Sequence, residues 1–198
     1  MYERILVPLD GSILSEAALP YAEELAARLG SDVSLVYVKE SDEEQVQFAH
    51  QPYLEKAAKI IEQGAQRYTN ESGVRPVQVL PTVMSGNPAE QIKEHAGKED
   101  IGLIVMTTKG QSGIKGRTLG SVADKVVRTT DCPVLLIRGS GHGSAAREEN
   151  LLNRVMVPLD GAKHLEPAVP YISELASKLQ AEVILFHVLA AECYVSGT

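Results

Sequence analysis

The sequence predicts an α/β protein with an open parallel sheet of five strands and helices on both faces, followed by a βαβ half-repeat. Short apolar segments alternate with segments of helical periodicity as far as residue 138, an alternation typical of a parallel sheet with right-handed crossovers. Within residues 105–137 a buried strand, a glycine-rich turn, a helix and another strand follow one another directly. From residue 154 the chain repeats its own beginning.

The chain begins with a predicted strand–helix–strand unit. Residues 4–9 (RILVPL) and 33–38 (VSLVYV) are apolar runs of strand length, and the serine that follows Asp10 and Gly11 is a suitable helix N-cap. Pro20 lies inside the helical pattern. We therefore expect the helix to bend there or to carry Pro20 in its first turns.

The middle of this first domain is less regular. Residues 40–52 are acidic and polar and are predicted to form a loop before a helix at about 53–68. The strand predicted at 74–83 contains two prolines, which indicates a position near the sheet edge or prolines at irregular positions of the strand. A short helix is expected from the Asn-Pro pair at 87–88 through His95.

The domain closes with two more strands. Residues 102–107 are uniformly apolar and are predicted inside the sheet, a helix opens at Ser121, and the last strand is at 133–138. Residues 139–153 are small, polar and charged, which indicates a linker. The first domain is therefore predicted at 1–138.

The remaining segment, 154–198, is a partial second copy. Residues 154–188 align without gaps on residues 4–38, with about half of the positions identical, PLDG included. One βαβ unit leaves apolar faces and strand edges uncovered, so we expect it to pack on another surface unless the chain is truncated.

Composition narrows the class of partner. The net charge of −7 and pI near 5.3 oppose nonspecific binding to nucleic acid or to an anionic membrane. The two cysteines have no framework spacing, no apolar run is long enough to span a bilayer, and the N-terminus enters a strand directly. We expect a cytoplasmic protein.

The turn after the strand at 102–107 has the character of a phosphate cradle. Glycines allow main-chain N–H groups to approach an anion, and the following helix N-terminus favours negative charge. The spacing matches neither GxxxxGK[ST] nor GxGxxG. The turn contains Lys109, Gly110, Ser112, Gly113, Lys115, Gly116, Arg117, Thr118, Gly120 and Ser121.

With PLDGS after the first strand and VMTTKGQSGIKGRTLGS before CPVLLIR, the sequence resembles the universal stress protein family over residues 2–138. Residues 154–189 resemble the opening of a second such domain. The resemblance implies a Rossmann-like fold of the adenine nucleotide alpha hydrolase type and a signature of Gly, two residues, Gly, nine residues, then Gly and Ser or Thr. Gly110 and Gly120-Ser121 match it, and Thr107 replaces the first glycine.

The resemblance implies that ATP, accompanied by Mg²⁺, binds beyond the strand ends, with Asp10 on the ribose. Its adenine would lie near Pro8, Leu9 and Val38, and its phosphates on the loop. Restoring glycine at 107 would strengthen binding if the loop is already competent, whereas weaker binding would make Thr107 part of an adapted site. The residues assigned to the nucleotide are Pro8, Leu9, Asp10, Val38, Thr107, Gly110, Gly113, Gly120, Ser121 and Val122.

The leading functional hypothesis is a nucleotide-responsive stress or signalling module with at most slow ATP hydrolysis. The five histidines lack metal-ligand spacing, and no GxSxG elbow occurs, so we assign neither a metal site nor a catalytic residue. Asp160 in the second copy has no partner loop, so one nucleotide per chain is the upper expectation.

Two alternatives stay open: a nucleotide-free structural or interaction member of the same family, and an ATP-using enzyme of a related α/β fold. PLDGS in place of SGGxDS or HIGH argues against the enzyme. A homodimer is expected, formed either through strand 133–138 or by mutual completion of the half-domains.

Overall fold

The computed structural model of the chain describes residues 1–40, 44–69, 75–110, 119–138, 151–159 and 167–187. The chain divides into two compact units, Met1–Leu151 and Leu152–Thr198. Among the described residues no helix combines the length and apolar character needed to cross a bilayer.

The first unit contains the predicted open parallel sheet of five strands. The strands are β1 (Arg4–Leu9), β2 (Asp32–Lys39), β3 (Val79–Ser85), β4 (Leu103–Thr107) and β5 (Val134–Ile137), in the order β3-β2-β1-β4-β5. Neighbouring strands are parallel throughout. Every residue of β4 is buried, which confirms the prediction from its uniform apolar character.

Five helices cover this sheet: α1 (Ile13–Glu16), α2 (Leu19–Leu29), α3 (Glu44–Thr69), α4 (Pro88–Lys98) and α5 (Ser121–Thr129). Ser12 caps α1 by accepting the Ser15 N–H at 3.1 Å. Pro20 is in the first turn of α2, where a missing N–H removes no helical hydrogen bond, so the second of the two predicted alternatives is found.

The loop predicted at 40–52 was wrong for most of its length, because α3 already begins at Glu44 and contains Pro52 in its interior. A proline is normally a reason to end a helix, since it removes one main-chain hydrogen bond. Here the glutamates, glutamines and alanine around it have good helix propensity, and the helix continues beyond it for more than four turns.

The third strand lies further along the chain than predicted. It spans Val79–Ser85 instead of 74–83, and it pairs only with β2 among the described strands, which confirms the edge position. Pro81, in register with Leu35, is tolerated at an edge because an edge strand needs fewer main-chain donors. Asn87 caps α4, which extends past the predicted end at His95 to Lys98.

The core on the α4 and α5 side of the sheet reaches the carboxyl ends of the strands. Its fully buried centre includes Leu6, Val36 and Ile104, and Val38 and Val122 pack at its border. This apolar layer fixes the strand ends from which the candidate site is built.

The second unit contains β6 (Arg154–Leu159), α6 (Val169–Lys178) and β7 (Glu182–His187). The two strands are parallel, so the strand–helix–strand order predicted for this segment is found. The register of β6 and β7, from Arg154 with Glu182 to Leu159 with His187, is the same as that of β1 and β2. The residue numbers of the equivalent pairs differ by 150. The predicted linker at 139–153 lies outside the described residues up to position 150.

Candidate functional site

The site lies where β1 and β4 end side by side. Ile5 is in register with Leu103 and Leu6 with Ile104, so the carboxyl ends of β1 and β4 lie side by side. Ligands of open parallel sheets bind beyond the carboxyl ends of the strands. Asp10 and Gly110 meet there: a Cβ added to Gly110 would overlap the Asp10 carboxylate. A residue with a Cβ at 110 would therefore have to displace the Asp10 carboxylate from this position.

Asp10 is held by the turn that follows β1. Its Oδ1 accepts the Ser12 N–H at 3.0 Å and the Ser12 hydroxyl at 2.6 Å. Ser15 donates its hydroxyl to the Ser12 carbonyl at 2.9 Å. Asp10 thus has the role of a turn residue, and its Oδ2 is the oxygen directed at Gly110. A carboxylate fixed in this way is a ready acceptor for ligand hydroxyls.

The ends of the glycine-rich loop are tied to each other and to the sheet. The Thr108 N–H donates to the Ile137 carbonyl at 2.8 Å, and the Gly120 N–H donates to the Thr108 carbonyl at 2.7 Å. Gly120 is the N-cap residue of α5, and Ser121 is its first residue. The loop is thereby closed at its base, with a helix N-terminus beside it, which is a suitable position for an anion.

The side chain of Thr107 is directed into this loop. It is buried, and its hydroxyl donates to the Lys109 carbonyl at 2.8 Å. The family signature gives no reason to expect such a bond, because its residue at this position is glycine.

The residues assigned to adenine differ in how far their side chains are exposed. Leu9 is buried, so its side chain presents almost no surface, whereas Pro8 and Val38 are half-buried. Val38 and Val122 pack on the same apolar cluster, which places an apolar border beside the loop. Gly113 lies outside the described residues.

Three side chains with aromatic rings, Tyr37, His50 and Tyr53, were not included in the predicted site. Tyr37 stacks on His50, with ring centroids 3.9 Å apart and planes 17° apart. Burial, and then the charge of Asp10, raise the pKa of Tyr37. Burial, followed by the Glu16 carboxylate, raises the pKa of Tyr53. His50 and Tyr53 belong to α3, and His50 fell within the segment predicted as a loop.

Cys132 lies before β5, at the amino end of β4 and not at the strand ends that form the site. Burial raises the pKa of the Cys132 thiol to about 11, and this thiol donates to the Ile101 carbonyl at 3.2 Å. Among the residues that the structure describes, no group of three His, Cys, Asp or Glu side chains is arranged to hold a metal ion.

Solved structures share this fold. A universal stress protein of Archaeoglobus fulgidus in complex with dAMP matches with a TM-score of 0.54 at 22% identity, over 69% of this chain and 98% of that chain. A universal stress protein in complex with cAMP gives 0.52 at 22%, over 70% and 98%. A longer universal stress protein from Archaeoglobus fulgidus DSM 4304 gives 0.70 at 22%, over 96% of this chain and 68% of that chain.

Proteins similar to this chain in sequence are also universal stress proteins. The universal stress protein MJ0531 of Methanocaldococcus jannaschii is 30% identical over 152 residues, covering 70% of this chain and 83% of that protein. YxiE, a universal stress protein of Bacillus subtilis, is 30% identical over 152 residues, covering 70% and 100%. The sequence profile of the universal stress protein family matches residues 1–138. The chain therefore belongs to the universal stress protein family.

Proposed function

We propose that the first unit binds an adenine nucleotide, ATP with its Mg²⁺ counter-ion, beyond the carboxyl ends of β1 and β4. Asp10 would accept from the ribose hydroxyls, Pro8 and Val38 would border the adenine, and the phosphates would lie on the glycine-rich loop. The remaining assigned residues of the loop and helix start are Thr107, Gly110, Gly113, Gly120, Ser121 and Val122.

One observation carries this proposal: Gly110 lies so close to the Asp10 carboxylate that a Cβ at 110 would have to displace that carboxylate. That contact joins a hydroxyl-binding group to an anion-binding loop closed on the N-terminus of α5. A nucleotide offers this pair of chemistries, hydroxyls on the ribose and negative charge on the phosphates. The complexes of related proteins with dAMP and cAMP support an adenine nucleotide.

We further propose that bound ATP stabilises one conformation of a cytoplasmic signalling or stress module, with at most slow hydrolysis. Binding to the folded state alone raises the melting temperature in proportion to the logarithm of ligand concentration at saturation. A member of the family that works without nucleotide, which the Thr107 departure allows, would show no such shift. Melting curves with ATP, dAMP, cAMP and GTP separate the two functions.

Gly120→Val tests the location of the site. A Cβ at Gly120 would meet the Thr108 carbonyl oxygen at 3.4 Å, so the larger valine should displace the base of the loop and reduce ATP affinity at least tenfold. Gly97→Val is the matched control, because a Cβ there meets nothing within 4 Å. Calorimetric titration showing equal ATP affinity in Gly120→Val and the wild type would contradict the site.

We also propose that 1–138 is the nucleotide-binding domain, 139–153 a linker and 154–198 a partial second copy within a homodimer. The β5 strand pairs only with β4 among the described strands, which leaves it one edge for association. The half-domains offer a second route. Light scattering on the full chain and on a chain ending at Arg138 distinguishes these routes, and a monomeric full chain would refute the dimer.

A further inference from the structure

Thr107 occupies the position at which the family signature begins with glycine, at the end of β4. Its side chain is only 7% exposed, and its hydroxyl hydrogen bond to the Lys109 carbonyl is 2.8 Å long. A threonine hydroxyl that bonds the main chain two residues further on constrains the turn between them. Thr107 therefore restrains the main chain that follows it, which a glycine side chain could not do.

The constraint reaches Gly110 through one peptide group. The Lys109 carbonyl and the Gly110 N–H belong to the same peptide, which is planar and trans, so that they point in opposite directions. Since the Thr107 hydroxyl holds the carbonyl, the Gly110 N–H is directed away from Thr107. A glycine at 107 has no side-chain donor with which to impose this direction.

Gly110 is restrained from the other side as well. The Asp10 carboxylate lies against its Cα, and Asp10 is itself held by Ser12. The hydrogen bond between Gly120 and Thr108 closes the loop at its base. The direction of the Gly110 N–H thus depends on a side chain that the family signature does not have at this position.

We propose that Thr107 is a positioning residue of the nucleotide site, whose hydroxyl orients the Lys109–Gly110 peptide so that the Gly110 N–H faces the phosphate groups of the ligand. The inference rests on the proposed function for its ligand. A donor oriented before binding costs less to order when the ligand arrives. Thr107→Gly should accordingly weaken ATP binding, which is the outcome expected of an adapted site.

Three variants isolate the hydroxyl. Thr107→Ser keeps it, Thr107→Val removes it at nearly constant shape, and Thr107→Gly removes the side chain. Thr129→Val is the matched control, because it deletes another threonine bond to a main-chain carbonyl, that of Lys125 at 2.8 Å, in the last turn of α5. The residual dipolar coupling of the Gly110 N–H, measured by NMR on the free protein, reports the direction of that bond. We expect it to change in Thr107→Val and Thr107→Gly alone.

Calorimetry then compares ATP with adenosine, which lacks the phosphates. We expect ATP affinity to fall about fivefold in Thr107→Val and Thr107→Gly, the effect of roughly one neutral hydrogen bond, while adenosine affinity stays within about twofold. An unchanged dipolar coupling in Thr107→Val, a changed coupling without loss of ATP affinity, or tighter ATP binding by Thr107→Gly would each overturn the proposal. If the wild type binds neither ligand, the proposed function fails, and the coupling alone decides whether Thr107 sets the peptide.

Discussion

The chain contains two related strand–helix–strand segments, identical at about half of their positions, one within the five-stranded sheet and one as a two-stranded unit. The main chain repeats closely. Asp32 N–H donates to the Glu3 carbonyl at 3.0 Å, and Glu182 N–H, 150 positions later, donates to the Asn153 carbonyl at 2.9 Å. The pairing of the two strands is therefore the same with and without further strands beside them.

Burial differs sharply between the copies. Leu35 in β2 is 0% exposed, whereas its counterpart Leu185 in β7 is 67% exposed. Leu6 and Met156 differ in the same way, at 0% and 62%. In the first unit the remaining strands and helices cover these positions. The strand positions of Leu6 and Leu35 are thus covered only where further strands and helices lie beside them.

The charged ends of the strands show how side chains adapt. In the first unit Arg4 pairs with Glu99 at 2.8 Å and Asp32 with Arg75 at 2.8 Å, both partners lying outside the repeated segment. In the second unit the counterparts of Arg4 and Asp32 pair with each other, Arg154 with Glu182 at 2.8 Å. At the amino ends of these strands, equivalent charged residues therefore pair with different partners in the two units.

The largest expected effect is on stability at the paired leucines. Leu35→Ala should lower the free energy of unfolding of the first unit by about 3 kcal/mol, because it leaves a cavity in a full core. Leu185→Ala should cost less than about 0.5 kcal/mol, since that side chain is largely exposed. Urea denaturation of both variants measures the difference. Equal costs would mean that the β7 face is covered in solution, as in a dimer.

The paired aspartates should differ in ligand binding. Asp10→Ala removes the carboxylate that lies against Gly110, and we expect ATP affinity to fall at least tenfold. Asp160→Ala changes the equivalent residue of the second PLDG, whose copy has no glycine-rich loop, and should leave ATP affinity unchanged. Calorimetry on the full chain compares them. Loss of affinity in Asp160→Ala would show that the second copy contributes to binding.

The helix ends should differ by a smaller amount. Gly30 ends α2 with a φ of 71°, and Gln180 occupies the equivalent position after α6 with a φ of 46°. Because glycine adopts this left-handed conformation without steric cost, Gln180→Gly should stabilise the second unit by about 1 kcal/mol, and Gly30→Ala should destabilise the first by a similar amount. Thermal melting checks both signs, and a destabilising Gln180→Gly would contradict the assignment of strain.

The order of elements in the first unit could be predicted because its strands are apolar and its helix ends carry clear signals, such as Ser12 and Asn87. The start of α3 could not, since Pro52 suggests a break, although the residues around it have good helix propensity. The glycine pattern likewise located the loop, but the Asp10–Gly110 approach and the Thr107 hydroxyl bond depend on two strands ending side by side. The stacking of Tyr37 on His50 was missed because it joins β2 to the first turns of α3, which were predicted as a loop.

The smallest expected effect is a pH dependence confined to the first unit. His95 of α4 lies 2.7 Å from the Ser34 hydroxyl, whereas the counterpart of Ser34 in the second unit is Ile184. Burial lowers the pKa of His95, the charge of Glu99 opposes this effect, and the charges of Arg4 and Lys98 add to it.

Near the ordinary pKa of histidine, the unfolded state therefore binds more protons at His95 than the folded state does. The free energy of unfolding of the first unit should thus fall as the pH decreases from about 6.5 through the lowered folded-state pKa, and His95→Gln should flatten this dependence. Urea denaturation between pH 8 and pH 5 measures both, as roughly the range that brackets histidine titration. A slope that persists unchanged in His95→Gln would assign the pH dependence to other groups.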